Sequence, residues 1–154
     1  MSSWSTPRIR RAEGRSGAAP LAPLAPLARS WLMARTPIER LRAHCLALPE
    51  AHEVEAWGEP TFRVRNRMFA MYATAGSHHG KGRPSVWCKA THLTQDALLR
   101  EAPDRFFAPP YVGPSGWVGV YLDAKPDWKT VAELLRDAWR LAAPKRLHVA
   151  LDET

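Results

Sequence analysis

The chain has 154 residues, 45% of them hydrophobic, and a formal net charge of +7 at pH 7. This length suits one domain of ordinary size, and the apolar share is enough for a buried core. No apolar run approaches the roughly 20 residues that a membrane-spanning helix needs. With only Cys45 and Cys88, the sequence offers no disulfide framework and no paired-thiol zinc motif, so we expect a cytoplasmic protein.

Residues 1–35 differ in composition from the rest of the chain. They carry six arginines against one glutamate, a net of +5 that leaves +2 for residues 36–154. An Ala-Pro-Leu repeat runs from Ala19 to Ala28, and prolines at every third position exclude a helix interior. We expect either a disordered tail over residues 1–35 or a natural start at Met33, with one folded domain over residues 36–154.

The first half of that domain reads as one helix followed by strands. Thr36-Pro37-Ile38-Glu39 combines a capping threonine, a proline suited to the first helical position and a glutamate that completes a capping box. Alternating apolar and polar residues then indicate strands. The predicted elements are a helix from 36 ending at Pro49, a strand over 53–57, a turn over 58–60, a hairpin over 61–74 with Asn66 near its tip, a loop over 75–83 and a strand over 85–90.

The second half alternates helix and strand. Thr94 is expected to cap a short helix through Glu101, and residues 117–122 alternate as a strand. The longest helix is predicted over residues 127–143, because apolar residues recur there at helical spacing and Pro144 follows. The stripe expected to be buried is Val131, Leu134, Leu135, Ala138 and Ala142. This order of elements predicts an α+β fold with an antiparallel sheet packed against helices on one side.

The stretch Pro109–Val118, PPYVGPSGWV, places proline and glycine at a density that fixes an unusual backbone path. It resembles the PYLG-x-x-GWV signature of the MmcQ/YjbR family. Trp57–Phe62 (WGEPTF), Met68–Ala70 and Lys89 also resemble that family, and the resemblance runs from about residue 38 to 145. It implies a CyaY-like (frataxin-like), double-wing fold and a DNA-binding function.

One face of the predicted sheet has the composition of a nucleic-acid surface. If Phe62, Val64 and their counterparts on neighbouring strands face the helices, cations and aromatic rings alternate on the other side. Cations contact phosphates and flat rings stack on bases. The predicted phosphate contacts are Arg63, Arg65, Arg67, Lys81, Arg83 and Lys89, and the surface or pocket aromatics are Trp87, Tyr111, Trp117 and Tyr121. The expected partner is duplex DNA bound with little sequence preference, because no base-reading helix is visible.

Other interpretations remain open. The turn over Tyr111–Trp117 could line a pocket for a small molecule or a protein partner. In a scaffold without a ligand, the outer aromatics would instead be buried. The glycine-rich loop at residues 76–82 is not a phosphate-binding P-loop, because Gly82 follows Lys81 where Ser or Thr is needed. No catalytic, metal or cofactor motif is recognisable, and we expect a monomer that does not contact membranes.

Overall fold

The computed structural model describes residues 36–76 and 82–152. The predictions for residues 1–35 and for most of the loop over 75–83 lie outside this described part. Contacts group the chain from Pro37 onward into one compact unit. The helices are α1 (Pro37–Leu46), α2 (His92–Glu101), α3 (Trp128–Ala142) and α4 (His148–Asp152), and the strands are β1 (Ala51–Ala56), β2 (Glu59–Val64), β3 (Arg67–Ala73), β4 (Ser85–Cys88), β5 (Phe106–Phe107) and β6 (Val118–Tyr121).

The six strands form one antiparallel sheet in the order β1-β2-β3-β4-β6-β5. This confirms the predicted α+β class and the antiparallel sheet. The edge strands of the described sheet are β1 and the two-residue β5. Strands β1 to β4 are adjacent in the sheet in the order in which they occur in the sequence. After them β6 lies next to β4, and β5 lies at the edge.

A two-residue turn at Arg65 and Asn66 joins β2 to β3. Both residues have positive φ, 52° and 66°, as the tight turns that match strand twist require. In the hairpin Phe62 pairs with Ala70 and Arg63 pairs with Met68, so Phe69 is an extra residue in β3. This bulge lets Phe69 and Ala70 both join the core. The hairpin and its tip near Asn66 are therefore as predicted.

The core lies between one face of the sheet and α3. The apolar sets predicted to face the helices are all buried there, and so is the predicted stripe of α3. Trp139 of α3 is also fully buried, and its indole N–H donates to the carbonyl of Pro49 at 2.9 Å. The sequence pattern missed this residue, although it lies one helical turn from Leu135.

Several element bounds differ from the prediction. The turn between β1 and β2 is Trp57-Gly58, with φ of 56° and 76°, and Glu59 and Pro60 belong to β2. The N-cap of α2 is Thr91 rather than Thr94, because the Thr91 hydroxyl accepts the Thr94 amide at 3.2 Å. The strand expected to reach residue 90 ends at Cys88, and β5 and α4 were not predicted. No helix in the described residues is long and apolar enough to cross a membrane.

Candidate nucleic-acid interface

The predicted phosphate contacts lie at two opposite ends of the sheet. We call the end at the β2–β3 turn the hairpin end, and the end where β3 leads towards Arg83 the loop end. The outer face is the side of the sheet away from α3. Strand register sets a row across the outer face at the hairpin end, because His52 pairs with Arg63 and Arg63 pairs with Met68. Lys89 and Trp117 continue that row, each next to the Cys88–Val118 pair.

Arg63 and Arg67 belong to the hairpin end and differ in exposure. Arg63 is half-buried, and its Nε donates to the Thr61 hydroxyl at 3.2 Å. Arg67, the first residue of β3, is exposed. Within the described ranges, neither guanidinium has a carboxylate within 4 Å. Both charges are therefore available to an external anion.

Lys89 is the third cation at this end. Its backbone amide donates to the Phe69 carbonyl at 2.9 Å, which fixes its position beside β3. Its ammonium lies 5.8 Å from the centre of the Trp117 ring, within the range of a cation–π contact. In the described part of the chain it has no carboxylate partner. We call Arg63, Arg67 and Lys89 the basic group.

Arg65 also lies at the hairpin end, but its charge is compensated. Its guanidinium forms two hydrogen bonds to the Glu50 carboxylate, at 2.6 and 3.2 Å. These bonds lower the pKa of Glu50 and raise that of Arg65. The sequence separates the two residues by fifteen positions, so only the pairing of β1 with β2 brings them together. Arg65 is thus less suited to phosphate binding than predicted.

Arg83 lies at the loop end, away from the basic group. It forms a fork of hydrogen bonds to Asp123, at 2.9 to 3.2 Å, and its guanidinium lies 3.6 Å above the Tyr121 ring. Tyr121 is half-buried and stacks on Phe107 at 4.6 Å. The hydrogen bonds from Arg83 lower the pKa of Asp123. Lys81, which was predicted to act with Arg83, lies outside the described residues.

The predicted aromatics are not equally accessible. Trp87 and Trp117 lie on the outer face as the alternation indicated, but they are only 2% and 5% exposed. They cluster with Met71 and Ala73. Neither ring presents a face to solvent in this arrangement, and ligand stacking on Trp117 stays a prediction. Tyr111, in contrast, is 76% exposed.

The turn before β6 packs closely against neighbouring backbone. Gly116 has a φ of 99°, and a Cβ placed there would lie 2.9 Å from the carbonyl oxygen of Ala90. The Gln95 side-chain amide donates to the carbonyls of Gly113 and Trp117, at 2.9 and 2.6 Å. These contacts hold the turn against the chain leaving β4 and against α2, and the alternative of a pocket lined by Tyr111 and Trp117 stays a prediction. A groove does open nearby, next to Lys89 but not lined by Tyr111 or Trp117.

Comparison with known proteins identifies the fold family. Residues 46–141 match the family model of YjbR, which is more than half of the chain. The chain belongs to the YjbR family. This confirms the resemblance read from the Pro109–Val118 stretch and from Trp57–Phe62, because both segments lie inside the matched range.

Two solved structures share the YjbR fold seen here. Protein DR2400 of Deinococcus radiodurans, described as a DUF419 domain, is 23% identical with a TM-score of 0.59, over 69% of this chain and 80% of that one. A protein from Pseudomonas syringae is 13% identical with a TM-score of 0.55, over 68% of this chain and 97% of that one. At such identities the likeness shows the fold alone. No curated protein matches the chain.

The two cysteines of this YjbR protein lie in the core. Cys45 and Cys88 are both buried, and burial raises the pKa of Cys88 to about 12. Such thiols behave as small apolar groups rather than as nucleophiles or ligands. No group of three or more His, Cys, Asp or Glu side chains suited to a metal ion occurs among residues 36–76 and 82–152. The pair His78-His79 falls in the segment that is not described.

Proposed function

We propose that this YjbR protein binds the backbone of duplex DNA through the basic group of Arg63, Arg67 and Lys89. The observation that carries the proposal is their lack of carboxylate partners in the described structure, whereas Arg65 and Arg83 are each held by an acid. Cations without an acidic partner contribute the most binding free energy when they contact phosphate, because no existing ion pair has to break.

In the proposed mode the β2–β3 hairpin acts as a wing against the duplex. Arg67 at its exposed end contacts one phosphate, and Arg63 and Lys89 contact others across the outer face. This is the double-wing, CyaY-like mode that the family resemblance implies, and the cytoplasm is the compartment in which we propose that it acts. In this mode Trp87 and Trp117 are packed within the outer face and do not stack on bases. Phosphate contacts carry no sequence information, so the proposal implies little sequence preference.

The test is duplex-DNA binding by the full chain, measured by fluorescence anisotropy across a salt series. With about three phosphates neutralised, log K should fall against log salt with a slope near −2.7. Replacing the basic group with glutamine (Arg63→Gln, Arg67→Gln, Lys89→Gln) should abolish most of that slope. The matched control changes three exposed cations elsewhere, Arg100→Gln, Lys125→Gln and Lys129→Gln, with the same loss of net charge.

A second control concerns the arginines of residues 1–35. A variant with Arg8, Arg10, Arg11 and Arg15 replaced by glutamine should keep the binding that depends on the basic group. If that variant loses all binding, the N-terminal arginines are the DNA contact and the proposal is wrong. Equal losses in the basic-group variant and in its matched control would also overturn it, because net charge alone would then explain binding.

A further inference from the structure

Tyr111 occupies a strained position in the turn before β6. Its φ is 69°, and the Val112 amide donates to the Pro110 carbonyl at 2.7 Å. A hydrogen bond between residues two apart, around a central residue of positive φ, defines a γ-turn of the rare, strained kind. Bulky residues with positive φ are outliers, and such strain is concentrated at binding sites. The backbone of Tyr111 is therefore a reason to look for a ligand of its side chain.

Hydrogen bonds on both sides fix the position of Tyr111. The Gly113 amide donates to the Pro109 carbonyl at 2.8 Å, which closes the chain around Tyr111. The Gln95 side chain donates to the Gly113 carbonyl at 2.9 Å, which ties this turn to α2. The Tyr111 side chain is nevertheless 76% exposed. A ring that is already held in place loses little conformational freedom when a ligand covers it.

Exposure alone does not single out Tyr111, because isolated apolar side chains on a protein surface are common. Trp57 is also exposed, at 65%, and has a φ of 56°. Its conformation has a structural cause, since Trp57 and Gly58 form the two-residue turn between β1 and β2, where positive φ is required. Tyr111 lies in the longer connection between β5 and β6, which imposes no such requirement.

Tyr111 lies next to the outer face at the hairpin end. Val112, its neighbour in sequence, packs against the outer-face cluster that contains Trp117. The Trp117 amide also donates to the Val112 carbonyl at 3.4 Å, and the Lys89 ammonium lies 5.8 Å from the centre of the Trp117 ring. Lys89 has no carboxylate within 4 Å in the described part of the chain. An exposed aromatic ring and an available cation therefore occupy one end of the same face.

We infer that Tyr111 stacks on an unpaired base of the DNA that the basic group holds, so that the preferred substrate is a duplex with an adjoining single-stranded segment. This stacking depends on the proposed function, because the basic group supplies the phosphate contacts. Aromatic rings beside cations are typical of surfaces that bind single strands, since every base has a flat face that can stack on a ring. Bases inside a duplex are already stacked on one another, and only an unpaired base is available to Tyr111.

The experiment compares two probes by fluorescence anisotropy with the full chain. Both are the same labelled duplex with a short overhang, which consists of thymidines in one probe and of abasic nucleotides in the other. Their phosphate charges are equal, so the ratio of the two affinities reports contact with bases alone. We expect the wild type to bind the thymidine probe about tenfold more tightly, as the stacking of one base allows. Tyr111→Ala should abolish this difference, and Tyr111→Phe, which keeps the ring, should preserve it.

Trp57→Ala is the matched control. It removes an exposed ring from a residue of positive φ at the loop end, so it should leave the affinity ratio unchanged. Tyr111→Gly separates loss of the ring from loss of the fold. It should abolish the preference for thymidine and still unfold at a temperature no lower than that of the wild type, because glycine adopts positive φ without strain.

Three outcomes would overturn the inference. Equal binding of the two probes by the wild type, with a salt slope that still depends on the basic group, would exclude base stacking and leave backbone binding standing. An affinity ratio that falls equally in Tyr111→Ala and Trp57→Ala would show that base contact does not belong to this end of the sheet. If the wild type binds neither probe at low salt, the proposed function is wrong, and the stacking by Tyr111 fails with it.

Discussion

The two ends of the sheet show how differently the same residue type can be used. At the loop end Arg83 is held between the Asp123 carboxylate and the Tyr121 ring. At the hairpin end Arg67 is exposed and Arg63 is half-buried, and neither has a carboxylate partner in the described structure. In sequence these arginines look alike. The acids that neighbour them in the folded chain separate a structural cation from one that is available to a ligand.

The largest effect should come from the turn before β6, which packs against the chain leaving β4 at the hairpin end. Gly116→Ala should lower the free energy of unfolding by about 2 kcal/mol, because the backbone has positive φ and the new Cβ meets the Ala90 carbonyl. The matched control is Gly58→Ala near the loop end. It also has positive φ but has open space around it, so we expect about 1 kcal/mol. Urea unfolding measures both, and equal losses would show that the contact with Ala90 contributes nothing.

The next largest effect is on DNA binding, and it compares an arginine at the hairpin end with one at the loop end. Arg67→Gln should weaken duplex-DNA binding about fivefold and reduce the salt slope by about 0.9, as expected for one lost phosphate contact. Arg83→Gln removes the same charge but should change the slope little, because Arg83 is already engaged by Asp123. Anisotropy titrations at several salt concentrations give both slopes. A larger change with Arg83→Gln would reverse the comparison.

A smaller effect concerns the aromatic packing at the edge of the sheet. Gly119 lies directly beneath the Phe107 ring, and a Cβ there would overlap it. Gly119→Ala should displace the ring from Tyr121 and lower the free energy of unfolding by about 0.5 to 1 kcal/mol. If the overlap is the cause, Gly119→Ala should cost less in a Phe107→Leu background than in the wild type. A double-mutant cycle of unfolding free energies tests this, and strict additivity would contradict it.

The smallest effect is a pKa change at the loop end. Hydrogen bonds from Arg83 lower the pKa of Asp123 below its ordinary value of 3.8. The ion pair therefore stabilises the fold above that value, and this contribution is lost as the pH falls through the folded-state pKa. Arg83→Gln should return the pKa towards 3.8 and remove this part of the acid dependence. Carboxyl NMR titration measures it, and an unchanged pKa would show that Arg83 is not the cause.

Regular patterns in the sequence predicted most of the architecture. The helical spacing of Val131, Leu134 and Ala138 in α3 is a strong signal because one side of the helix is buried, and the alternation around Phe62 and Val64 is equally clear. The two-residue β5 has no such period, so it was missed. A sequence pattern reveals a helix or strand whose apolar residues recur at a regular spacing. It misses a short strand such as β5, which is recognisable only from its pairing with β6.

The candidate site was less predictable. Alternation placed Trp87 and Trp117 on the outer face correctly, but it says nothing about what covers that face, and both are buried. The partners of Arg65 and Arg83, which are Glu50 and Asp123, lie 15 and 40 positions away in sequence. Charge compensation of this kind depends on tertiary structure. The sequence could therefore supply candidate cations but not select among them.

The edge position of β1 has a consequence for the behaviour of the protein in concentrated solution. An exposed edge strand can pair with the edge of another molecule and start aggregation, and charged side chains on the strand oppose this. Glu55 of β1 is exposed and supplies such a charge, whereas Glu53 is paired with Arg42 at 2.8 Å. We therefore expect these side chains to oppose pairing of β1 with another copy of the chain, and replacing both glutamates with threonine should increase self-association through β1.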